Sequence, residues 1–302
     1  MADLSVNIAG VEFKNPIIAA SGTIGFGHEY SEFYPLSVFG GISCKGTTLK
    51  ERSGNPPPRI AETPMGMLNA VGLQNPGVEH FIKYDLPWLK QQDTVTIANV
   101  AGSTAEDYCK MAEILSDTDI DMIELNISCP NVKEGGVQFG TSCESVAAIT
   151  KAVRAHCKKP LIIKLSPNVS DIASIAMAAE SEGADAVSLI NTLTGMRIDI
   201  NTRKPIIANI TGGMSGPAVF PVAVRMVWQV KKAVKIPVIG MGGITTWKDA
   251  VEMMMAGADA IQIGTALFTD PYSPIKIAEG LNAYLDKNGM KSVTELTGTV
   301  MC

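Results

Sequence analysis

Short runs of apolar and β-branched residues recur along the chain, each bounded by Gly, Pro, Asn or Ser and separated by segments with helical periodicity. The runs are Ile17 to Ala20, Gly41 to Cys44, Val95 to Asn99, Met122 to Asn126, Leu161 to Leu165, Val187 to Asn191, Val238 to Met241 and Ile261 to Gly264. Their hydrophobicity is near-continuous. A strand with one wet face would alternate, so these runs predict parallel strands covered on both faces.

Helices are predicted over Thr104 to Leu115, Cys143 to His156, Asp171 to Ser181, Pro217 to Val234, Trp247 to Met255 and Pro274 to Asp286. Ser170 is placed to cap the helix that Gly183 closes. Pro217 sits where a first helical turn tolerates a missing N–H, and Gly257 follows the turn at Met253 to Ala256. Gly183-Ala-Asp-Ala-Val and Gly257-Ala-Asp-Ala-Ile echo one another at a helix-to-strand junction, and Pro160 and Pro237 precede comparable strands. Eight such runs with intervening helices and this echo favour a mixed α/β fold, a (β/α)8 TIM barrel, over an open doubly wound sheet. Ser5 to Phe13 reads as a small N-terminal hairpin outside the barrel, at its bottom. With no linker or low-complexity tract, residues 1–302 read as a single domain.

Composition narrows the function. Of the 302 residues, 46% are hydrophobic and 18% charged, which excludes a disordered, collagen-like or coiled-coil chain. The net charge of -5 supplies no basic field, which argues against nucleic acid or an anionic membrane as principal partner. The N-terminus has Asp3 where an export signal would carry Lys or Arg. The uncharged stretch Ile206 to Val224 is interrupted by Gly212, Gly213, Gly216, Pro217 and Pro221, so no membrane span is predicted. Cys44, Cys109, Cys129, Cys143, Cys157 and Cys302 show no Cys-x-x-Cys spacing, and His28, His80 and His156 are scattered. No metal site is expected, and reduced thiols in a cytoplasm are the simplest reading.

A barrel works at the C-terminal ends of its strands, so the residue that ends each run is the one to inspect. Those positions hold Ser21, Lys45, Asn99, Asn126 with Cys129 beyond it, Lys164, Asn191 with Thr192, Gly242-Gly243 and Gly264-Thr265. Asparagines, lysines and a cysteine suggest one polar site with few ordinary acids or bases. Glycines after the seventh and eighth runs suit a phosphate cradle of backbone N–H groups, although tight βα turns alone would also call for them. If the phosphate belongs to FMN, Lys164 would stabilise negative charge on the reduced flavin; a structural ion pair is the alternative. Cys129 lies on a stretch continuing through Gly135-Gly136 to Thr141, which could act as a lid. With no His at a strand end to activate it as a nucleophile, Cys129 fits proton abstraction better, and a buried apolar cysteine is the alternative.

Across essentially its whole length the sequence resembles dihydroorotate dehydrogenase. The resemblance is carried in order by Ala20-Ser-Gly with Gly25-Phe-Gly, Gly54-Asn-Pro-Pro-Pro-Arg, Asn69-Ala-Val-Gly-Leu-Gln-Asn-Pro-Gly77, Glu124-Leu-Asn-Ile-Ser-Cys-Pro-Asn131, Ile163-Lys-Leu-Ser-Pro and Gly240-Met-Gly-Gly-Ile. It implies FMN bound by Ser21, Lys45, Gly46, Asn99, Asn126, Lys164, Ile190, Gly216, Gly242, Gly243, Gly264 and Thr265. It also implies a dihydroorotate site built from Lys45, Asn69, Ala70, Val71, Gly72, Leu73, Asn126, Asn191 and Thr192, with Asn131 a further contact.

The implied reaction belongs to pyrimidine biosynthesis: Cys129 takes the C5 proton of the ring, the C6 hydride passes to the flavin, and Lys164 supports the reduced flavin. Cys in place of Ser as base, and the absence of an N-terminal helical extension, point away from the membrane-linked quinone branch. Arg59-Ile-Ala-Glu-Thr-Pro and Gly72-Leu-Gln-Asn-Pro-Gly look like the NAD-linked branch, class 1B. That branch implies a partner subunit carrying FAD and a [2Fe-2S] cluster, in a heterotetramer around a catalytic homodimer. The alternatives are the fumarate-linked class 1A enzyme and a flavin-free phosphosugar isomerase or synthase barrel. A tRNA-modifying flavin barrel and a noncatalytic flavin carrier rank below these.

Overall fold

The computed structural model describes residues 2–127 and 139–301. Its centre is a closed barrel of eight parallel strands. In chain order these are β1 (Ile17–Ala19), β2 (Gly41–Ser43), β3 (Val95–Val100), β4 (Met122–Asn126), β5 (Leu161–Lys164), β6 (Ala186–Leu189), β7 (Val238–Met241) and β8 (Ala260–Ile263). Neighbours in sequence pair in space, and β8 closes on β1 with Ile261 opposite Ile17. The predicted runs are therefore the barrel staves, shifted by a residue or two. Burial explains why they were legible: nearly every residue of these strands is buried, so most positions on both faces are apolar.

The main outer helices are α1 (Ala105–Ser116), α2 (Cys143–Arg154), α3 (Ile172–Ser181), α4 (Phe220–Ala233), α5 (Trp247–Met255) and α6 (Ser273–Lys287). Two expectations need correction. Asp171, not Ser170, caps α3: its backbone is extended and its carboxylate accepts from the N–H groups of Ala173 and Ser174. The helix expected from Pro217 is broken into a 3-10 turn at Pro217–Val219 and then α4, with Pro221 in the first turn of the helix proper. The N-terminal hairpin pairs Val6–Ile8 with Val11–Phe13. Phe13 packs at the bottom of β2, where a β-carbon on Gly41 would stand 2.6 Å from its ring.

The Gly-Ala-Asp-Ala echo is a structural device. Asp185 accepts from the Leu161 N–H at 2.8 Å and from Arg154 at 2.7 Å, tying the start of β5 to α2. Asp259 does the same with the Val238 N–H at 2.8 Å and Lys231 at 2.7 Å, tying β7 to α4. Asp121 is a third copy that the sequence reading did not single out, accepting from the Thr96 N–H at 2.8 Å and from Lys90 at 2.9 Å. Each carboxylate satisfies a strand-entry donor that would otherwise be orphaned at the barrel bottom. The glycine ahead of each of the first two aspartates lets the basic side chain pass. Gly257 sits at φ +125°, and a β-carbon there would lie 2.5 Å from Cγ of Lys231.

A second layer covers the barrel top and was not foreseen. It is a four-stranded antiparallel sheet in the order Leu193–Met196, Thr211–Ser215, Gly66–Asn69, Ile60–Thr63. Its strands come from the segments after β2 and after β6, so the suspicious uncharged stretch contains one of its central strands. Among the described residues no helix is long and apolar enough to cross a membrane.

Gly257→Ala should destabilise the protein by roughly 1–3 kcal/mol, since the new β-carbon meets both a disfavoured backbone conformation and the Lys231 stem. Urea unfolding followed by circular dichroism measures it; a loss under about 0.5 kcal/mol would refute the stapling account.

Candidate functional site

Between the C-terminal ends of the staves and the four-stranded sheet lies a cavity of about 250 Å³. That is far more than a trapped water needs, so it is a ligand-sized space. Nearly all the described residues singled out from sequence line it, from Ser21 after β1 through Lys45, Gly46, Asn99, Asn126, Lys164, Ile190, Asn191 and Thr192 to Gly264 and Thr265 after β8. Gly216, Gly242, Gly243, Asn69, Val71, Gly72 and Leu73 line it as well. Ala70 does not: it is fully buried behind the lining, and its carbonyl accepts from Asn55 Nδ2 at 2.9 Å. Cys129, Asn131 and Gly135-Gly136 lie outside the described residues.

One end of the cavity is made of backbone. Gly242 and Gly243 follow β7 at φ +121° and +76°, and Gly216 at φ +99° precedes the 3-10 turn that leads into α4. A β-carbon on Gly243 would stand 2.8 Å from the Phe220 nitrogen and 2.9 Å from the Gly216 carbonyl oxygen, so this corner admits only glycine. Across it, Thr265 donates to Ser215 at 2.8 Å. Such close-packed glycine backbone at the entry to a helix is the arrangement that accommodates phosphate oxygens.

The wall toward the roof is the stretch Asn69 to Leu73, and the Gly54-Asn-Pro-Pro-Pro-Arg motif is its clamp. The Asn55 N–H donates to the Val71 carbonyl at 2.9 Å, the Ala70 N–H donates to the Arg59 carbonyl at 2.8 Å, and Arg59 also reaches Gln74. Gly72 lies against Asn55, and Leu73 holds a left-handed φ of +58°. The stretch is thus fixed by a neighbour that contributes nothing to the lining itself. Opposite it, Asn191 Nδ2 donates to Asn126 Oδ1 at 3.3 Å, and the Thr192 N–H donates to Asn191 Oδ1 at 2.8 Å. Tyr108 holds the Asn126 carbonyl at 2.9 Å.

The floor contains a residue the sequence reading passed over. Glu124 lies two positions before the end of β4 and is fully buried inside the barrel. Oε2 accepts from Ser43 at 2.6 Å and from Asn99 at 2.6 Å, while Oε1 accepts from Ser188 at 2.7 Å and from Gln262 at 2.8 Å. Lys164 Nζ stands 3.6 Å from Oε2. Burial by itself would raise the carboxyl pKa; the Lys164 ammonium and the donated hydrogen bonds outweigh it and hold the group below its ordinary value. Lys164 therefore has a structural ion pair and also lines the cavity, so the two readings of that lysine coexist. Gln262 lines the cavity too and was missed, because it sits inside β8 and not at its end. A charged residue flanked by apolar ones, Met-Ile-Glu-Leu, inside a strand run was the available signal.

Comparison with known proteins gives one consistent result. The family profile described as dihydroorotate dehydrogenase matches residues 3–285. The chain is 60% identical over 301 residues to a protein of Bacteroides thetaiotaomicron named dihydroorotate dehydrogenase B (NAD(+)), catalytic subunit, with 99% of each chain covered. Proteins of the same name from Alkaliphilus oremlandii and Petrotoga mobilis are 56% and 53% identical; the first alignment covers 98% of each chain, and the second 99% of this chain and 100% of its relative. With a profile match over most of its length and relatives more than half identical from end to end, the chain belongs to the dihydroorotate dehydrogenase family of oxidoreductases.

Proposed function

We propose that the chain oxidises dihydroorotate to orotate with a bound FMN and passes the electrons to NAD through a separate subunit. One observation carries this reading: the described residues that the family pattern assigns to flavin and to substrate, scattered from Ser21 to Thr265, line a single cavity with the exception of Ala70. The cavity fits the flavin on two counts. Its glycine corner leaves no room for a β-carbon and suits a phosphate, while the floor holds buried amide oxygens on Asn99 and Gln262 with no partner among the described residues.

FMN would be held by Ser21, Lys45, Gly46, Asn99, Asn126, Lys164, Ile190, Gly216, Gly242, Gly243, Gly264 and Thr265, and supplies a two-electron acceptor for the hydride leaving C6. Lys164 places positive charge where electron density would accumulate. Asn69, Asn126, Asn191 and Thr192 meet the alternating C=O and N–H edge of the pyrimidine, since an amide both donates and accepts. Lys45 and the N–H groups near Gly72 and Leu73 hold the carboxylate. Cys129 takes the C5 proton as general base, leaving the C5–C6 double bond of orotate.

The electron path to NAD rests on the names of the relatives, which specify NAD(+) and a catalytic subunit. A partner carrying FAD and a [2Fe-2S] cluster would complete it, around a homodimer of this chain in a cytoplasmic heterotetramer. The isomerase alternative needs a carboxylate at the reacting face. Glu124 does not serve, because both its oxygens are already saturated inside the barrel.

The chain purified alone should be yellow, and dihydroorotate added without oxygen should bleach the flavin band. Flavin that stays oxidised would refute the half-reaction, and an inability to bind FMN would favour the isomerase. Reoxidation by fumarate, with no requirement for the partner, would reassign the acceptor. Cys129→Ala should retain FMN and lose about 100- to 10,000-fold in turnover, as expected for deletion of a general base. Near-normal steady-state turnover at mildly alkaline pH would remove Cys129 from that role.

A further inference from the structure

The buried carboxylate of Glu124 does more than neutralise Lys164. An ionised carboxylate only accepts hydrogen bonds, so each side-chain amide that meets it must present its NH2. Asn99 on the neighbouring strand β3 and Gln262 on β8, across the barrel from β4, both do so, at 2.6 and 2.8 Å. Their other ends are thereby fixed as carbonyl oxygens. Asn99 Oδ1 and Gln262 Oε1 are buried, lack a partner among the described residues, and belong to residues of the cavity lining. Asn99 Oδ1 lies 3.0 Å from where a β-carbon on Gly46 would stand, beside another residue of the lining. Two buried acceptors without donors cost stability unless a ligand completes them. Ser43 and Ser188 donate to the same carboxylate at 2.6 and 2.7 Å but take no part in the lining.

We propose that Glu124 is a positioning residue that locks the amides of Asn99 and Gln262 with their carbonyls toward the ligand, making Gln262 a further binding residue for a ring N–H at the cavity floor. The inference rests on the flavin reading, whose isoalloxazine ring carries such an imide N–H. Glu124→Gln keeps the shape but adds an NH2 among the donors, so one amide is driven to turn over and offer N–H where an acceptor is required. Gln262→Leu removes the acceptor outright and keeps an apolar side chain in β8.

The test is titration of the flavin-free full-length chain with FMN, followed by quenching of flavin fluorescence, alongside the thermal midpoint of each flavin-free variant. Glu124→Gln and Gln262→Leu should each raise the FMN Kd about tenfold or more, the effect of one lost or mismatched hydrogen bond at a buried site. Ser43→Ala and Ser188→Ala should lower the thermal midpoint yet leave the Kd within about twofold, because they weaken the carboxylate's surroundings without releasing an amide. Should Glu124→Gln fail to fold, Gln262→Leu and the serine variants decide the matter. A Gln262→Leu Kd within about twofold of the parent would overturn the proposal, as would serine variants that weaken binding as much. A parent chain that binds no FMN would remove the flavin reading and the proposal with it, whereas a parent that binds and variants that bind equally remove the proposal alone.

Discussion

A carboxylate inside a β-barrel is the constraint on which the rest of this molecule depends. Removing one partner from a buried ion pair typically costs about 3–5 kcal/mol, so a charge at this depth is tolerated only with its surroundings complete. Glu124 on β4 draws donors from β2, β3, β6 and β8 and the ammonium of Lys164 on β5. A slip of one residue in any of those strands would turn its donor out of the barrel and under the helices. The polar layer therefore specifies register in staves whose near-uniform Val, Ile, Leu and Ala content would otherwise define it weakly. It also couples fold to chemistry, because three of the five groups around the carboxylate, Asn99, Lys164 and Gln262, line the cavity.

The two ends of the barrel solve different problems. At the bottom, Asp121, Asp185 and Asp259 each bind a strand-entry N–H and a basic side chain, a repeated arrangement that ties strand starts to the outer layer. At the top, backbone groups lie open behind glycine, and the covering sheet is anchored from outside the cavity by Asn55 and Arg59. Holding the Asn69 to Leu73 wall from behind leaves its cavity-facing groups for a ligand. The clamp motif thus belongs to the site's support and not to its contacts, although sequence comparison alone places it beside the binding motifs.

How much of this was legible follows from the physics of each part. The staves were read to within a residue or two because burial on both faces writes itself as an unbroken apolar run. The covering sheet was invisible for the opposite reason: Ile60–Thr63 is half exposed, Thr211–Ser215 carries two glycines, and such strands read as loop. Strand-end inspection found Asn99, Asn126, Asn191 and the two lining lysines, but not Asn69, which came from the family resemblance, nor Glu124 or Gln262, which act from within their strands. Ser170 and Asp171 are adjacent cap formers, and only the extended backbone at the second decides between them. Gly216 was reached through family resemblance, and its left-handed backbone against Gly66 supplies the reason for glycine there.

The arrangement explains why the working face is rich in amides and poor in carboxylates. Glu124 sits beneath Lys164 as its buried counter-charge, while the lysine itself lines the cavity. A second carboxylate at a neighbouring strand end would compete for the same lysine and would repel an anionic ligand. Asparagine and glutamine avoid both problems, and the carboxylate beneath them decides which end each amide shows. Polarity at the floor is in this way set one layer below the surface that a ligand touches. Altering the specificity of such a site requires changing the buried layer together with the lining, and the buried layer is also what holds the staves in register.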